Sequence, residues 1–235
     1  MANKKMVGKK EKLKTAAVQI AKQIQDAIKP DKAEKGEKGA EISFEELLKA
    51  VNNLNHGDVK KLLAHGADVN HKDAAGRSVL MAACEKTGNI EIIKLLAGGG
   101  AEVNARDNER KTAFLYACAS GNTEAVKFLW EKGALLSVFN KSGANATILA
   151  AMCGNAEMMA FLIEKKLNVN AQDNDGMTPL MYSAAAKNKE LTELLLSRKA
   201  DAKLKDTKGR TALDHAAEAG AGPEIQGALS GALSV

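Results

Sequence analysis

The chain has 235 residues, 45% hydrophobic and 27% charged, which is long enough to bury a full core and does not indicate wholesale disorder. Only 3% of residues are aromatic, so the core must consist of small and aliphatic side chains packed between helices, and large flat sheets are disfavoured. The net charge of +5 comes from residues 1–40, with eleven lysines and five acids, whereas residues 41–235 hold 23 basic and 24 acidic groups and so create no overall field for nucleic acid.

The first predicted element is an amphipathic helix at about residues 10–29, in a basic N-terminal segment of residues 1–40. Its apolar positions alternate at spacings of four and three: Leu13, Ala17, Ile20, Ile24 and Ala27. Pro30 ends the helix, and a polar, flexible linker follows. This helix has three open roles: docking on the main body, pairing with another copy, or membrane contact through residues 10–29. Docking is favoured, because the apolar stripe is rich in Ala and lacks large aromatic residues.

The cysteines and the N-terminus both indicate a cytoplasmic protein. Cys84, Cys118 and Cys153 are too few and too odd in number for a disulfide framework. Lys22 and Asp26 interrupt what would be the apolar part of a secretory signal, and no stretch reaches the roughly 20 apolar residues that span a bilayer.

From residue 41 onward the sequence repeats one unit. Related strings recur as RSVLMAACEKTGN, KTAFLYACASGN, NATILAAMCGN, TPLMYSAAAKN and RTALDHAAEAG. The polar residue upstream of each string is Asp73, Asp107, Asn140, Asp173 or Asp206, with spacings of 34, 33, 33 and 33. A second apolar helix pattern follows each string and ends, in most units, near Gly-Ala. A fixed period of this length predicts a solenoid of helix-turn-helix units.

The repeat resembles the ankyrin family, whose Asp, Gly, Thr-Pro-Leu, paired Ala, paired Leu and Gly-Ala-Asp-Val-Asn motifs appear here in fragments. The resemblance implies an all-α ankyrin solenoid with β-turn or hairpin tips, over residues 41–235. We expect six units, at residues 43–72, 73–106, 107–139, 140–172, 173–205 and 206–235. Ser43 and Glu46 predict a capping box at the start, and Pro223 opens a degenerate last helix.

Several residues fit or depart from this pattern for physical reasons. Thr178 before Pro179 predicts an N-cap and a first helical residue. Arg110 replaces a turn Gly, and Lys166 and Lys199 replace the Gly that ends the second helix, so we expect strain or another geometry there. The family's His after Leu is absent from every unit, which predicts weaker bracing of the loops.

No residue pattern indicates catalysis, so we expect neither enzyme activity, a small-molecule substrate, a cofactor nor a metal. The histidines show no zinc spacing and are expected in exposed loops; they are His56, His65, His71 and His215. Cys84 and Cys118 are expected in the core, and Cys153 at an accessible helix end, with no flanking cation to activate it.

The resemblance places a binding surface on the concave face, formed by the turn tips and the exposed side of each first helix. Across five units that face carries nine basic and four acidic residues, which favours an acidic partner. Phe139, Met152 and Met177 are expected to form an apolar island at its centre. The predicted partner-binding residues are Lys72, Arg77, Arg106, Glu109, Lys111, Tyr116, Phe139, Lys141, Met152, Asp175, Met177, Lys205, Lys208 and Arg210.

The predicted function is therefore a non-catalytic scaffold for protein-protein interaction, monomeric, with an acidic protein partner on the concave face. The alternative is an adaptor that binds a membrane surface or nucleic acid through its lysine-rich N-terminal helix while the array holds a second partner. Nucleic acid is disfavoured as the partner of the array itself, because the array has almost no net charge.

Overall fold

The computed structural model describes residues 43–86 and 90–234. These residues contain twelve helices and no strand, apart from isolated antiparallel bridges between Lys72 and Ser78 and between Phe139 and Asn145. The helices are α1 Phe44–Asn52, α2 His56–Ala64, α3 Val79–Glu85, α4 Ile90–Gly98, α5 Ala113–Ala119, α6 Thr123–Glu131, α7 Ala146–Met152, α8 Ala156–Glu164, α9 Pro179–Ala185, α10 Lys189–Ser197, α11 Ala212–Glu218 and α12 Pro223–Leu233. The predicted helix at 10–29 and its linker lie outside the described residues.

The twelve helices form six hairpins, each a pair of consecutive helices in chain order. The two helices of a hairpin pack together, each first helix packs on the first helix of the next hairpin, and the second helices do the same. The small residues Ala83, Ala117, Ala150, Ala184 and Ala216 are completely buried between first helices, as the sequence predicts. The predicted solenoid is thus confirmed, with one continuous core along its length.

Short helices of seven and nine residues form because they are packed in the stack and most of them have a side-chain N-cap. Helices of this length are marginal alone, so the apolar faces that they bury in the stack stabilise them. The predicted N-cap at Thr178 is confirmed, since its side chain accepts a hydrogen bond from the Met181 amide and Pro179 follows in the first turn. The predicted capping box at Ser43 and Glu46 is also present.

Three non-glycine residues keep the turn geometry of the family. Arg110, Lys166 and Lys199 have φ values of 63°, 63° and 62°, in the left-handed region that glycine occupies in the other units. The turns therefore have the same path in every unit, and the departures from glycine appear as local backbone strain and not as a different geometry.

The predicted weakness of the loop bracing is wrong for three units, in which the next residue supplies the bond; the equivalent residues of the other two units, Ala82 and Leu149, cannot. Tyr116, Tyr182 and His215 stand one position after the missing His, and each contacts the turn residue of its own unit. The Tyr116 hydroxyl donates to Asp107 Oδ2 at 2.8 Å, and the Tyr182 hydroxyl donates to Asp173 Oδ2 at 2.7 Å. His215 is consequently buried in α11 and not exposed in a loop.

Candidate functional site

The concave face is a groove built from five successive turn tips and the exposed sides of α3, α5, α7, α9 and α11. The tips are held in line by backbone hydrogen bonds between units, for example from the Lys141 amide to the Glu109 carbonyl at 3.0 Å and from the Asn174 amide to the Ser142 carbonyl at 2.9 Å. The groove is therefore a continuous surface with a fixed spacing between its side chains.

At each end of the groove, an arginine forms ion pairs with acidic residues of its own unit. Arg77 contacts Asp73 at 2.9 Å and Glu85 at 3.7 Å, and Arg210 contacts Asp206 at 2.9 Å and Glu218 at 2.7 Å. These two arginines are predicted partner-binding residues, but their charge is largely matched within the chain.

The remaining charged residues of the groove leave an excess of free positive charge. Lys141 pairs with Glu109 at 3.3 Å, and the Lys72 ammonium donates to the Arg106 carbonyl at 3.1 Å. Four predicted partner-binding cations form neither an ion pair nor a side-chain hydrogen bond with any residue that the structure describes: Arg106, Lys111, Lys205 and Lys208. Asp175 is exposed and is the one predicted acidic contact without such a pair in the described part of the chain.

The centre of the groove holds a depression of about 420 Å³. Lys111, Tyr116, Ala119 and Met152 line it, and Met152 is 55% exposed. The Lys111 ammonium lies 5.5 Å from the centre of the Tyr116 ring. Burial raises the pKa of the Tyr116 hydroxyl, and the hydrogen bond to Asp107 raises it further, so this group stays a neutral donor.

The predicted apolar island is divided by the structure. Met152 lines the central depression, whereas Phe139 lines a second, separate depression. Met177 is half-buried and packs against the core, and Ala144, expected on the surface of the groove, is buried. The sequence did not identify the exposed Trp130 and Leu135, although Leu135 lies in a segment whose pattern departs from the other units.

The cysteines have the positions that the sequence predicts. Cys84 and Cys118 are buried, and Cys153 is exposed at the end of α7. Burial raises the pKa of each thiol, which disfavours a reactive thiolate. Within residues 43–86 and 90–234, His, Cys, Asp and Glu side chains form no group of three that suits a metal ion. None of the helices described there has the length and apolar character needed to cross a membrane.

The stacked hairpins and aligned tips define a helical repeat protein with an extended binding face. A sequence model described as ankyrin repeats (three copies) matches residues 47–140 and 147–226, so the chain belongs to the ankyrin repeat family. Proteins of this family bind protein partners and are typically non-catalytic.

Many solved structures are similar to this chain, including an ankyrin repeat protein and a chain from an endopeptidase complex. The ankyrin repeat protein EF0377 is 30% identical with a TM-score of 0.70, and the match covers 81% of this chain and 98% of the other. A chain from the complex of the predatory endopeptidase Bd0816 of Bdellovibrio bacteriovorus with the immunity protein Bd3460 is 28% identical with a TM-score of 0.72, and the match covers 81% and 99%. No curated protein sequence gives a significant match.

Proposed function

We propose that this chain is a non-catalytic interaction scaffold whose concave groove binds an acidic surface of another protein. The observation that carries this proposal is the set of predicted contact cations with neither an ion pair nor a side-chain hydrogen bond in the described part of the groove: Arg106, Lys111, Lys205 and Lys208. Exposed charges of one sign along a rigid face steer an oppositely charged partner and fix its register.

The central depression gives the groove a site for an anchoring side chain. Met152 provides flexible apolar contact there, and Lys111 and Tyr116 border it with a cation and a hydroxyl. An apolar centre with a polar rim is the arrangement in which a few residues supply most of the binding energy. The similar chain found in an endopeptidase-immunity protein complex supports a protein, and not a small molecule, as the partner.

The test is affinity capture from the lysate of the source organism, with the full-length chain as bait and quantitative identification of bound proteins. We expect at least one acidic protein to bind the wild type and to be lost from the double variant Lys111→Glu with Met152→Glu. The matched control is Lys60→Glu, which reverses an exposed charge on α2, away from the groove. Binding should also weaken as salt is raised, because screening reduces the attraction between exposed charges.

The same experiment distinguishes the alternative of a lysine-rich N-terminal adaptor. Deleting residues 1–40, with eleven lysines and five acids, removes all of the excess positive charge of the chain. Capture that survives this deletion and disappears with the groove variant supports the scaffold. Capture that is lost with the deletion and unchanged by the groove variant contradicts it, and favours the adaptor instead.

A further inference from the structure

A second surface lies outside the groove, beside the segment that joins the third and fourth hairpins. Five large apolar side chains are exposed in the described part of the chain, and three of them, Trp130, Leu135 and Phe139, fall within ten consecutive residues. Single exposed apolar residues are normal on protein surfaces, but a local cluster marks an interaction site. We call residues 133–139 the third link.

The third link is more apolar than the equivalent links of the other units. The equivalent links at residues 66–72, 100–106, 166–172 and 199–205 each contain at least one charged side chain, and the third link, GALLSVF, contains none. Leu135 stands where the other links have Asp68, Glu102, Asn168 and Asp201. It is 57% exposed, so core packing does not explain the substitution.

In the first two links, an asparagine side chain forms hydrogen bonds to the backbone of the following link. The third link lacks this asparagine. Asn104 donates to the Gly133 carbonyl at 3.0 Å and accepts from the Leu135 amide at 2.9 Å, and Asn70 makes the equivalent pair of bonds one unit earlier. Ser137 occupies this position in the third link, and its side chain forms no such bridge to the residues that the structure describes. The third and fourth links are therefore not joined by this pair of hydrogen bonds.

Phe139, at the end of the third link, lines a depression with a cationic wall. The depression has a volume of about 450 Å³ and is lined by Leu136, Phe139, Leu167, Lys165 and Lys166, among others. Its volume is within the roughly 300–1,000 Å³ of ordinary ligand pockets. No acidic side chain is among its lining residues, although the Lys165 ammonium pairs with the exposed Glu164 carboxylate at 3.6 Å.

Cation–π contacts connect the depression to the neighbouring aromatic residues. The Lys165 ammonium lies 4.0 Å from the centre of the Trp130 ring, and the Arg110 guanidinium lies 4.7 Å from that of Phe139. Trp130 also packs edge to face against Phe161, with 5.9 Å between ring centres. Through Lys165, Trp130 lies next to the depression that Leu136 and Phe139 line. We call Trp130, Leu135, Leu136, Phe139 and Lys165 the third-link patch.

We propose that the third-link patch is a second docking surface, which binds a segment of another protein with one large apolar side chain flanked by carboxylates. The depression accepts the apolar side chain, and Lys165, Lys166 and Arg110 complement the carboxylates. A second copy of this chain fits less well, because it would bring the same cations face to face. A membrane fits less well because Phe139 and Leu136 surround a depression and do not form a protruding tip. The proposal does not rest on the function of the groove.

The test uses fluorescein-labelled short peptides with a central Leu, Ile or Phe between glutamates, and the full-length chain. We expect binding in fluorescence anisotropy and a change in the emission of Trp130, which is the single tryptophan of the chain. Peptides with a central Ala, or with lysines in place of the glutamates, should bind at least about tenfold more weakly.

The test variant carries two substitutions, each to a residue type that another repeat of the chain has at the equivalent position. Leu135→Asp and Phe139→Lys install the residue types of Asp68 and Lys72, at exposed positions where they leave the core intact. The double variant should lose binding at least about tenfold, while Lys60→Glu, which reverses an exposed charge on α2 away from both depressions, should bind as the wild type does.

Other results would overturn the proposal. It fails if no peptide binds more tightly than its Ala-centred counterpart, or if the double variant binds like the wild type. It also fails if the peptides do not bind and the double variant instead abolishes binding to phosphatidylserine vesicles or dissociates a dimer in sedimentation, since the occupant would then be a membrane or a second copy.

Discussion

The acidic residue that begins a unit organises the turn around it. Asp206 Oδ1 accepts hydrogen bonds from the amides of Lys208 and Arg210, and Oδ2 contacts the Arg210 guanidinium and His215 Nε2. Burial raises the pKa of this carboxyl, but the bonds to Arg210, His215 and Lys208 outweigh it, so the pKa lies well below its usual range. One side chain therefore fixes both the turn and the start of α11.

This arrangement predicts acid sensitivity of the last hairpins. Because the pKa of Asp206 is lower in the folded state, its stabilising contribution is complete above the unfolded value of about 3.9 and is lost as pH falls below it. Asp206→Asn should lower the melting temperature at pH 7, and the difference from the wild type should shrink as pH falls below about 3.9. Circular dichroism melting curves measure this, with Asp175→Asn as an exposed control. A constant difference at all pH values would contradict the assignment.

At the scale of the element, the turn tips are stacked so closely that one position excludes a side chain. A Cβ on Gly143 would lie 2.5 Å from Asn174 Oδ1 and 2.9 Å from the Asn174 amide nitrogen. That amide donates to the Ser142 carbonyl, so the close approach is the contact that aligns adjacent tips. Gly209, in the last turn, has a similar φ of 79° but no atom within 4 Å of such a Cβ.

Alanine substitutions at Gly143 and Gly209 can distinguish the cost of backbone strain from the cost of disturbing the contact between units. Gly209→Ala should cost only the left-handed conformation, about 1 kcal/mol. Gly143→Ala has the same strain and should lose about 1–3 kcal/mol more, because the tip of the next unit must shift. Urea unfolding followed by circular dichroism gives both free energies. Equal losses in the two variants would show that the stacking of tips contributes little.

At the scale of the whole molecule, stability comes from contacts between neighbouring hairpins. The strong contacts join helices within a hairpin or between consecutive hairpins. Stability in such an array is close to a sum of unit and interface contributions. Among the described residues, each terminal hairpin packs on a single neighbouring hairpin, and we expect the C-terminal hairpin to open early.

Removing residues 206–235 should therefore leave a folded but less stable array. The truncation exposes the apolar faces of α9 and α10 that pack on α11 and α12. The slope of the free energy of unfolding against urea should fall by about a sixth, since one of six hairpins is lost, and the midpoint should decrease. Loss of all cooperative unfolding would instead show that stability depends on the whole array at once.

Sequence and structure contributed different parts of the candidate site. The residues Lys111 and Met152 could be placed on the concave face because a fixed period assigns every residue a position in its unit. The neutralisation of Arg77 and Arg210 could not be predicted, since it depends on which rotamers bring Glu85 and Glu218 within reach. The sequence also could not predict that Phe139 and Met152 line different depressions, because a turn residue can face either side of the tip.

The sequence by itself determined the family, the solenoid and the helix caps, because these follow from local spacing and from small residues repeated at a regular interval. Only the tertiary structure decided which charges remain free, that Tyr116, Tyr182 and His215 brace the turns, and that an apolar patch borders the third link. Those properties depend on distances between side chains of different units, and these distances exist only after the hairpins have stacked.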